Sequence, residues 1–116
     1  MFKYFYSFVL VFSFVISAEA SDISGKWEGS IKGQNGDIKI MFTFFVQGTE
    51  ITGSVKSEVG ELQINNGIID GDFFSFEVEV DGMIIFHECV INGQIITMKY
   101  NGMNGDDTLT LYRVKE

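Results

Sequence analysis

The side chains with the most reactive chemistry are a single histidine, His87, and a single cysteine, Cys89. Residues two apart on a strand project from the same face, so His87 and Cys89 could offer nitrogen and sulfur ligands to a soft metal ion. A tetrahedral site needs further ligands, and none follows at a suitable spacing. The sequence therefore predicts no metal site. Two interpretations of His87 stay open: a polar contact inside a pocket, or a hydrogen-bonded histidine of the interior or rim.

Carboxylates are the other candidate ligands, and most of them fall in turns. Two groups could offer oxygen to Ca²⁺: Asp70 with Asp72, and Asp106 with Asp107 and Asn104. Neither group follows the twelve-residue calcium loop, and aspartate is common in turns because its side chain bonds the nearby backbone. Glu77 and Glu79 alternate with apolar residues, which is typical of a solvated strand face. We therefore expect no cofactor.

Catalytic signatures are scarce. Spacing identifies neither a Ser-His-Asp set nor a phosphate-binding glycine loop, since the glycines sit in turns rather than between a strand and a helix. One enzymatic alternative stays open, a small hydrolase or isomerase in which His87 acts with Glu88 or Glu61. The sequence favours a protein that is not an enzyme.

Glycines that follow polar residues punctuate the chain and predict its architecture. The pairs are Asn35-Gly36, Gln47-Gly48, Asn66-Gly67, Asp70-Gly71, Asp81-Gly82, Asn92-Gly93 and Asn101-Gly102. Asn-Gly and Asp-Gly suit tight hairpins because both residues tolerate positive φ. Repeated hairpins between short apolar runs predict an antiparallel β meander.

Alternation with a period of two supports the same interpretation. In the clearest strand, Phe74, Phe76 and Val78 alternate with Ser75 and Glu77. A loose polar loop is expected over residues 101–107, before a last strand at 108–114. The fold class predicted is all-β: about eight strands in an up-and-down meander closed into a small barrel, because closure removes exposed strand edges.

The interior of such a barrel is either filled by side chains or holds one small ligand. The predicted inward residues are Trp27, Ile31, Ile40, Phe42, Phe44, Ile51, Val55, Leu62, Ile64, Phe74, Phe76, Val78, Ile96, Met98, Leu109 and Leu111. The number of aromatic residues favours a filled interior. If a pocket exists, the candidate ligand contacts are Trp27, Phe42, Phe44, Phe74, Phe76, His87, Met98 and Tyr100.

Apolar residues also occur at positions that should face outward. They include Met41 and Val90, and a candidate interaction patch consisting of Phe45, Phe73, Ile84 and Phe86. A contiguous exposed patch marks a contact surface, for a partner protein or a second copy of the chain. The alternative is a β-bulge that turns part of this set into the core.

The chain begins with a pattern typical of export. Lys3 precedes an apolar run, and the small residues Ala18 and Ala20 frame a cleavage site, which predicts a signal peptide over residues 1–20 and a single domain over 21–116. We expect a secreted or periplasmic protein without stable membrane insertion after cleavage. The net charge of −8 argues against nucleic acid as a partner. Cys89 cannot form an internal disulfide, and it is either buried or an exposed thiol able to pair between chains.

Gly25-Lys26-Trp27 at the start of the first strand resembles the Gly-x-Trp signature of lipocalins, and Arg113 resembles the arginine that packs over that tryptophan. More closely, the order of several strand phrases resembles small secreted lipocalin-like (calycin-type) domains of bacteria, mostly without assigned function. The chain is shorter than a true lipocalin and has no disulfide pair. The resemblance implies structural roles for Gly25, Trp27 and Arg113. It also implies a non-enzymatic binding module, with a small hydrophobic ligand at a barrel mouth or a protein partner on the outer patch.

Overall fold

The computed structural model describes residues 22–33, 36–102 and 105–115, and this part of the chain is all-β. Its strands are β1 (Gly25–Gly33), β2 (Gly36–Gln47), β3 (Glu50–Ser57), β4 (Gly60–Asp70), β5 (Phe73–Val80), β6 (Met83–Asn92), β7 (Ile95–Gly102) and β8 (Gly105–Arg113). Each strand pairs antiparallel with the next, and β8 returns to β1. The predicted meander closed into a barrel is thus confirmed. The predicted signal peptide lies outside the described residues.

Glycines with positive φ shape the hairpin turns, as the sequence predicts. Gly48, Gly71, Gly82 and Gly93 have φ angles of 64°, 64°, 83° and 66°, a region that side chains with a Cβ rarely enter. Each of these glycines lies in a turn between two consecutive strands and belongs to one of the predicted polar-glycine pairs. Asn35, in the first predicted pair, lies outside the described residues. Within the described ranges, no helix is long and apolar enough to cross a membrane.

Asn66-Gly67 lies inside β4 rather than in a hairpin turn. Asn66 has a φ of 54°, and the β4–β5 register shifts between Asn65 and Ile68. A Cβ on Gly67 would overlap the Ile51 carbonyl oxygen of β3. The pair therefore forms a bulge that bends β4 and lets β3 approach closely.

The loose polar loop expected over residues 101–107 is wrong. β7 continues through Asn101 to Gly102 and β8 begins at Gly105, with Asn101 opposite Asp106. The Asn101 side chain accepts a hydrogen bond from the Phe86 backbone N–H at 2.8 Å. Asn101 thus pairs with β8 through its backbone and bonds β6 through its side chain. These contacts extend β7 through residues whose polar composition is typical of a loop.

Large side chains fill the barrel at the end where β1 begins. The residues buried there are Ile23, Trp27, Phe44, Ile51, Ile69, Phe74, Ile96 and Leu111. The Phe44 and Phe74 rings meet edge to face, with centroids 5.4 Å apart. Ile23 comes from the segment before β1, and its carbonyl oxygen accepts a hydrogen bond from Trp27 Nε1 at 2.9 Å. We call this part of the interior the filled end.

The seam between β1 and β8 is short, since only Trp27 pairs with Arg113 and Glu28 with Tyr112. Arg113 reinforces it: the guanidinium carbon lies 4.3 Å from the centroid of the Trp27 ring. Arg113 Nη1 and Nη2 donate to the carbonyl oxygens of Ser24 at 3.1 Å and Asp22 at 3.0 Å. One side chain therefore holds the last strand, the first strand and the segment before it together.

Gly25 and the turn between β6 and β7 both lie next to the Arg113 guanidinium. Gly25 has a φ of +126°, and a Cβ there would stand 3.5 Å from Arg113 Nη1. Arg113 Nε donates to Gln94 Oε1 at 2.8 Å, which adds the β6–β7 turn. Glycine is therefore required at position 25 by its positive φ rather than by a lack of space for a side chain.

We expect Arg113→Lys to lower the free energy of unfolding by about 1–3 kcal/mol, since lysine keeps the charge but loses the planar stack and the three-way donation. Urea unfolding followed by tryptophan fluorescence measures this change. Lys26→Ala, at an exposed outward position near the same end, is the control and should shift stability by less than about 0.5 kcal/mol. Equal stability of Arg113→Lys and the wild type would contradict the role given to the guanidinium.

Candidate functional site

The other end of the barrel encloses a cavity of ≈ 630 Å³ between the inner faces of the strands. Its boundary includes Phe42, Val55, Val78, His87, Met98 and Leu109. Ile31, Ile40 and Val55 are inward residues near this end that are only partly buried against the core. Space stays open between them, above the aromatic residues that lie deeper in the barrel. We call this space the mouth cavity.

An aromatic stack forms the floor of the mouth cavity. The His87 ring lies nearly parallel to Phe76, with centroids 4.6 Å apart and planes inclined by 9°. Tyr100 continues the stack on the other side of His87 at 5.8 Å, and Phe42 approaches His87 edge-on at 6.3 Å. Rings held on both faces fix the orientation of the imidazole.

His87 is buried, with 8% of its surface exposed, and it is neutral. Its Nδ1 lies 3.1 Å from the Ile85 carbonyl oxygen; that oxygen only accepts, so Nδ1 carries the proton. Burial lowers the pKa of His87 to about 4, and the hydrogen bond to Ile85 opposes this shift only in part. Nε2 is therefore a hydrogen-bond acceptor on the floor of the cavity.

The remaining polar groups of the mouth cavity lie towards its rim. Tyr100 donates its hydroxyl hydrogen to Asp107 Oδ2 at 3.3 Å. The pKa of Tyr100 is raised by burial, and also by the charge and hydrogen bond of Asp107. Asp81 lines the opening, and among the described residues of the lining there is no Lys or Arg. Glu61 also borders the opening, but its carboxylate accepts a hydrogen bond from Ser54 Oγ at 3.2 Å on the outer face. The site is thus apolar with an acidic rim.

The eight candidate ligand residues divide between the two ends of the barrel. Phe42, His87, Met98 and Tyr100 line the mouth cavity. Trp27, Phe44, Phe74 and Phe76 are buried in the aromatic packing beside or below it. The expectation of a filled interior therefore describes one half of the barrel and not the other.

Several residues that line the mouth cavity were not among the candidate ligand contacts predicted from the sequence. Val55, Val78, Ile85 and Leu109 contribute aliphatic walls. Leu62, predicted to face the core, is 42% exposed because it lies beside the open end. Aliphatic residues at inward positions, clustered towards one end of the strands, were the signal that could have located the cavity.

The outer apolar residues are exposed but do not form one cluster. Phe73 lies directly opposite Val90 on β6, and Phe86 lies four residues further along that strand, opposite Glu77. Ile84 lies beyond Phe86 towards the other end, and Phe45 is on β2, across β3 and β4 from Phe73. No bulge turns these side chains inward.

The sheet separates His87 from Glu88, one of its two candidate catalytic partners. Glu88 is exposed on the outer face, whereas its neighbours His87 and Cys89 are buried inside. Glu61 lines the rim of the same cavity as His87. In the part of the chain that the structure describes, no three His, Cys, Asp or Glu side chains group to hold a metal ion.

No protein-family model matches this chain, and no curated protein matches it.

The neutral state of His87 predicts a loss of stability in mild acid. The folded protein holds the pKa of His87 at about 4, below the ordinary 6.5, so the unfolded chain binds the proton more readily between these values. We expect this group to lower the free energy of unfolding by about 2 kcal/mol between pH 7 and pH 5. Urea titrations at both pH values should show that loss in the wild type and its absence in His87→Phe, which keeps the ring stack. Parallel pH dependence in the two proteins would refute this assignment.

Cys89 should be inert in the folded protein. It is buried, and the pKa of its thiol is raised by burial and by the neighbouring charge of Glu88. We expect 5,5′-dithiobis(2-nitrobenzoate) to react at least roughly a hundredfold more slowly in buffer than in 6 M urea, because the thiolate is rare and enclosed. Thr97→Cys, at an exposed position on β7, provides a fast-reacting control. Equal rates at Cys89 in buffer and urea would show that the thiol is accessible.

Proposed function

We propose that this protein is an exported binding module that takes a small apolar molecule into the mouth cavity. The observation that carries this proposal is the cavity itself, of ≈ 630 Å³ and bounded mainly by aliphatic and aromatic side chains. Small-molecule sites in proteins typically enclose roughly 300–1,000 Å³, with apolar walls and a few polar groups that fix orientation. His87 and Tyr100 are such groups.

The packing below the cavity supports the proposal, because a preformed site loses little freedom on binding. Phe42 stacks on Phe44 at 5.8 Å, and Phe76 lies 5.6 Å from Phe44. The floor is thus continuous with the filled end and stands on paired strands rather than on loops. A site on rigid elements keeps its geometry without the ligand.

The likeness to lipocalin-like domains points in the same direction. It rests on Gly25-Lys26-Trp27 in the first strand and on Arg113 over Trp27 at the barrel base. A closed eight-stranded antiparallel barrel is consistent with it. We extend the proposal to a small secreted bacterial domain of that kind, exported by a signal peptide over residues 1–20 and acting in the periplasm or outside the cell.

A second candidate function is protein binding through the outer face. Phe73 is 64% exposed directly opposite Val90, itself exposed, so two apolar side chains are adjacent on the surface. This pair can serve a partner protein or a second copy of the chain. The enzymatic alternative has less support, because Glu88 faces away from His87 and only Glu61 shares its cavity.

Binding of the neutral dye N-phenyl-1-naphthylamine tests the proposed function. Val55 is on the cavity wall, whereas its neighbour Lys56 is exposed on the outer face of the same strand. We expect saturable fluorescence enhancement with the wild type, and Val55→Trp should weaken binding about tenfold or more by occupying the cavity. Lys56→Trp, which adds the same indole outside, should bind like the wild type.

Circular dichroism and thermal melting establish that both variants are folded before binding is compared. Absence of saturable binding to the wild type, or equal affinity of folded Val55→Trp, would overturn the cavity as the binding site.

A further inference from the structure

The polar groups of the mouth cavity share one chemical property, since they mainly accept hydrogen bonds. Resting on the proposed function, we infer that the cavity selects apolar ligands with a hydrogen-bond-donating, preferably cationic head group, such as a long-chain amine. Fatty acids and other carboxylates are disfavoured. The specificity follows from the protonation and partners of a few residues at the floor and rim.

His87 offers an acceptor at the floor. Its Nδ1–H is committed to the Ile85 carbonyl oxygen at 3.1 Å, which leaves the Nε2 lone pair for a ligand. A hydroxyl or ammonium group can donate to Nε2. A carboxylate has no hydrogen to donate and would meet another lone pair.

Tyr100 offers a second acceptor, although a tyrosine hydroxyl can in general donate as well. Its hydrogen is directed to Asp107 Oδ2 at 3.3 Å, so the remaining lone pairs of its oxygen are what a ligand meets. Ser57 also lines the cavity; its oxygen accepts the Val59 N–H of the turn at 3.4 Å, which leaves its hydroxyl hydrogen to donate. A ligand that donates is therefore matched by His87 and Tyr100, and one that accepts is matched by Ser57.

The charges at the rim have one sign. Asp81 lines the opening and Asp107 stands behind Tyr100, while the described lining holds no Lys or Arg. The Glu61 carboxylate is on the outer face, opposite Lys56, where it accepts a hydrogen bond from Ser54 Oγ at 3.2 Å. Lys32 and Lys56, on strands that reach this end, occupy exposed outward positions. Apolar walls reduce the screening of the Asp81 and Asp107 carboxylates, so they attract an ammonium group and repel a carboxylate.

The desolvation of the head group makes the discrimination effective. A carboxylate that leaves water must find donors or a cation, and the described lining offers it the Ser57 hydroxyl but no Lys or Arg. An ammonium group that leaves water finds acceptors and opposite charge. A neutral alcohol should fall between these two ligands.

Displacement of N-phenyl-1-naphthylamine by decylamine, decanol and decanoate tests the inference, with all three used below their micelle concentrations at pH 7.5 and physiological salt. The ligands share one alkyl chain and differ only in the head group. We expect decylamine to compete at least about tenfold more tightly than decanoate, with decanol between them. If decanoate binds as tightly as decylamine or more tightly, the inference is overturned, whereas the proposed binding function still holds.

Two other outcomes separate the inference from the proposed function. If the dye binds and none of the three ligands competes, the inferred ligand class is wrong and the cavity still binds. If neither the dye nor any ligand binds the wild type, the proposed function itself fails.

General attraction of cations to an acidic protein requires a control, since the chain carries a net charge of −8. Asp81→Asn and Asp70→Asn each remove one charge from an Asp-Gly turn, the first at the mouth and the second at the filled end. Asparagine tolerates the positive φ of 51° at Asp81. We expect Asp81→Asn to weaken the binding of decylamine about threefold or more, with little effect on the binding of decanol. Asp70→Asn should change the binding of neither ligand. Equal weakening of decylamine by both variants would assign the preference to surface charge and overturn the inference.

Discussion

Closure of the sheet depends on the contact between Trp27 and Arg113. The first and last strands share only two register pairs, so their backbone ladder is the shortest in the barrel. The Arg113 side chain compensates by stacking on the indole and donating to carbonyl oxygens of Asp22 and Ser24. These contacts add to the backbone hydrogen bond from Val114 N–H to the Lys26 carbonyl oxygen at 2.9 Å, and they hold the segment carrying Ile23 over the filled end.

The interiors of the two ends of the barrel are occupied differently. At the filled end the Phe44 ring meets Phe74 from the opposite side of the barrel and Ile23 is bonded over Trp27, which stabilises the closed sheet. At the other end the interior opens into the mouth cavity. His87 stands at the boundary, where Phe76 and the Ile85 carbonyl oxygen compensate for burying a polar ring.

Local pattern predicted most of the architecture and only part of the site. Alternation around Phe74 and Phe76 placed β5 and its neighbours correctly, because a half-buried strand must alternate. Asn66-Gly67 suits a hairpin turn and equally a bend within a strand, and the close approach of β3 decided for a bulge. The pairing of Asn101 across β7 and β8 likewise overrode a loop-like composition.

The sequence alone determined the strand class, the meander and most of the inward face, because these follow from periodicity and turn chemistry within short segments. The burial of His87 and Cys89 was decided by the tertiary structure. Only the tertiary structure decided that the interior is filled at one end and open at the other. A cavity depends on how side chains from all strands add up across the axis. The same holds for the Nδ1 proton of His87, which the Ile85 carbonyl oxygen fixes through a contact that spacing does not reveal.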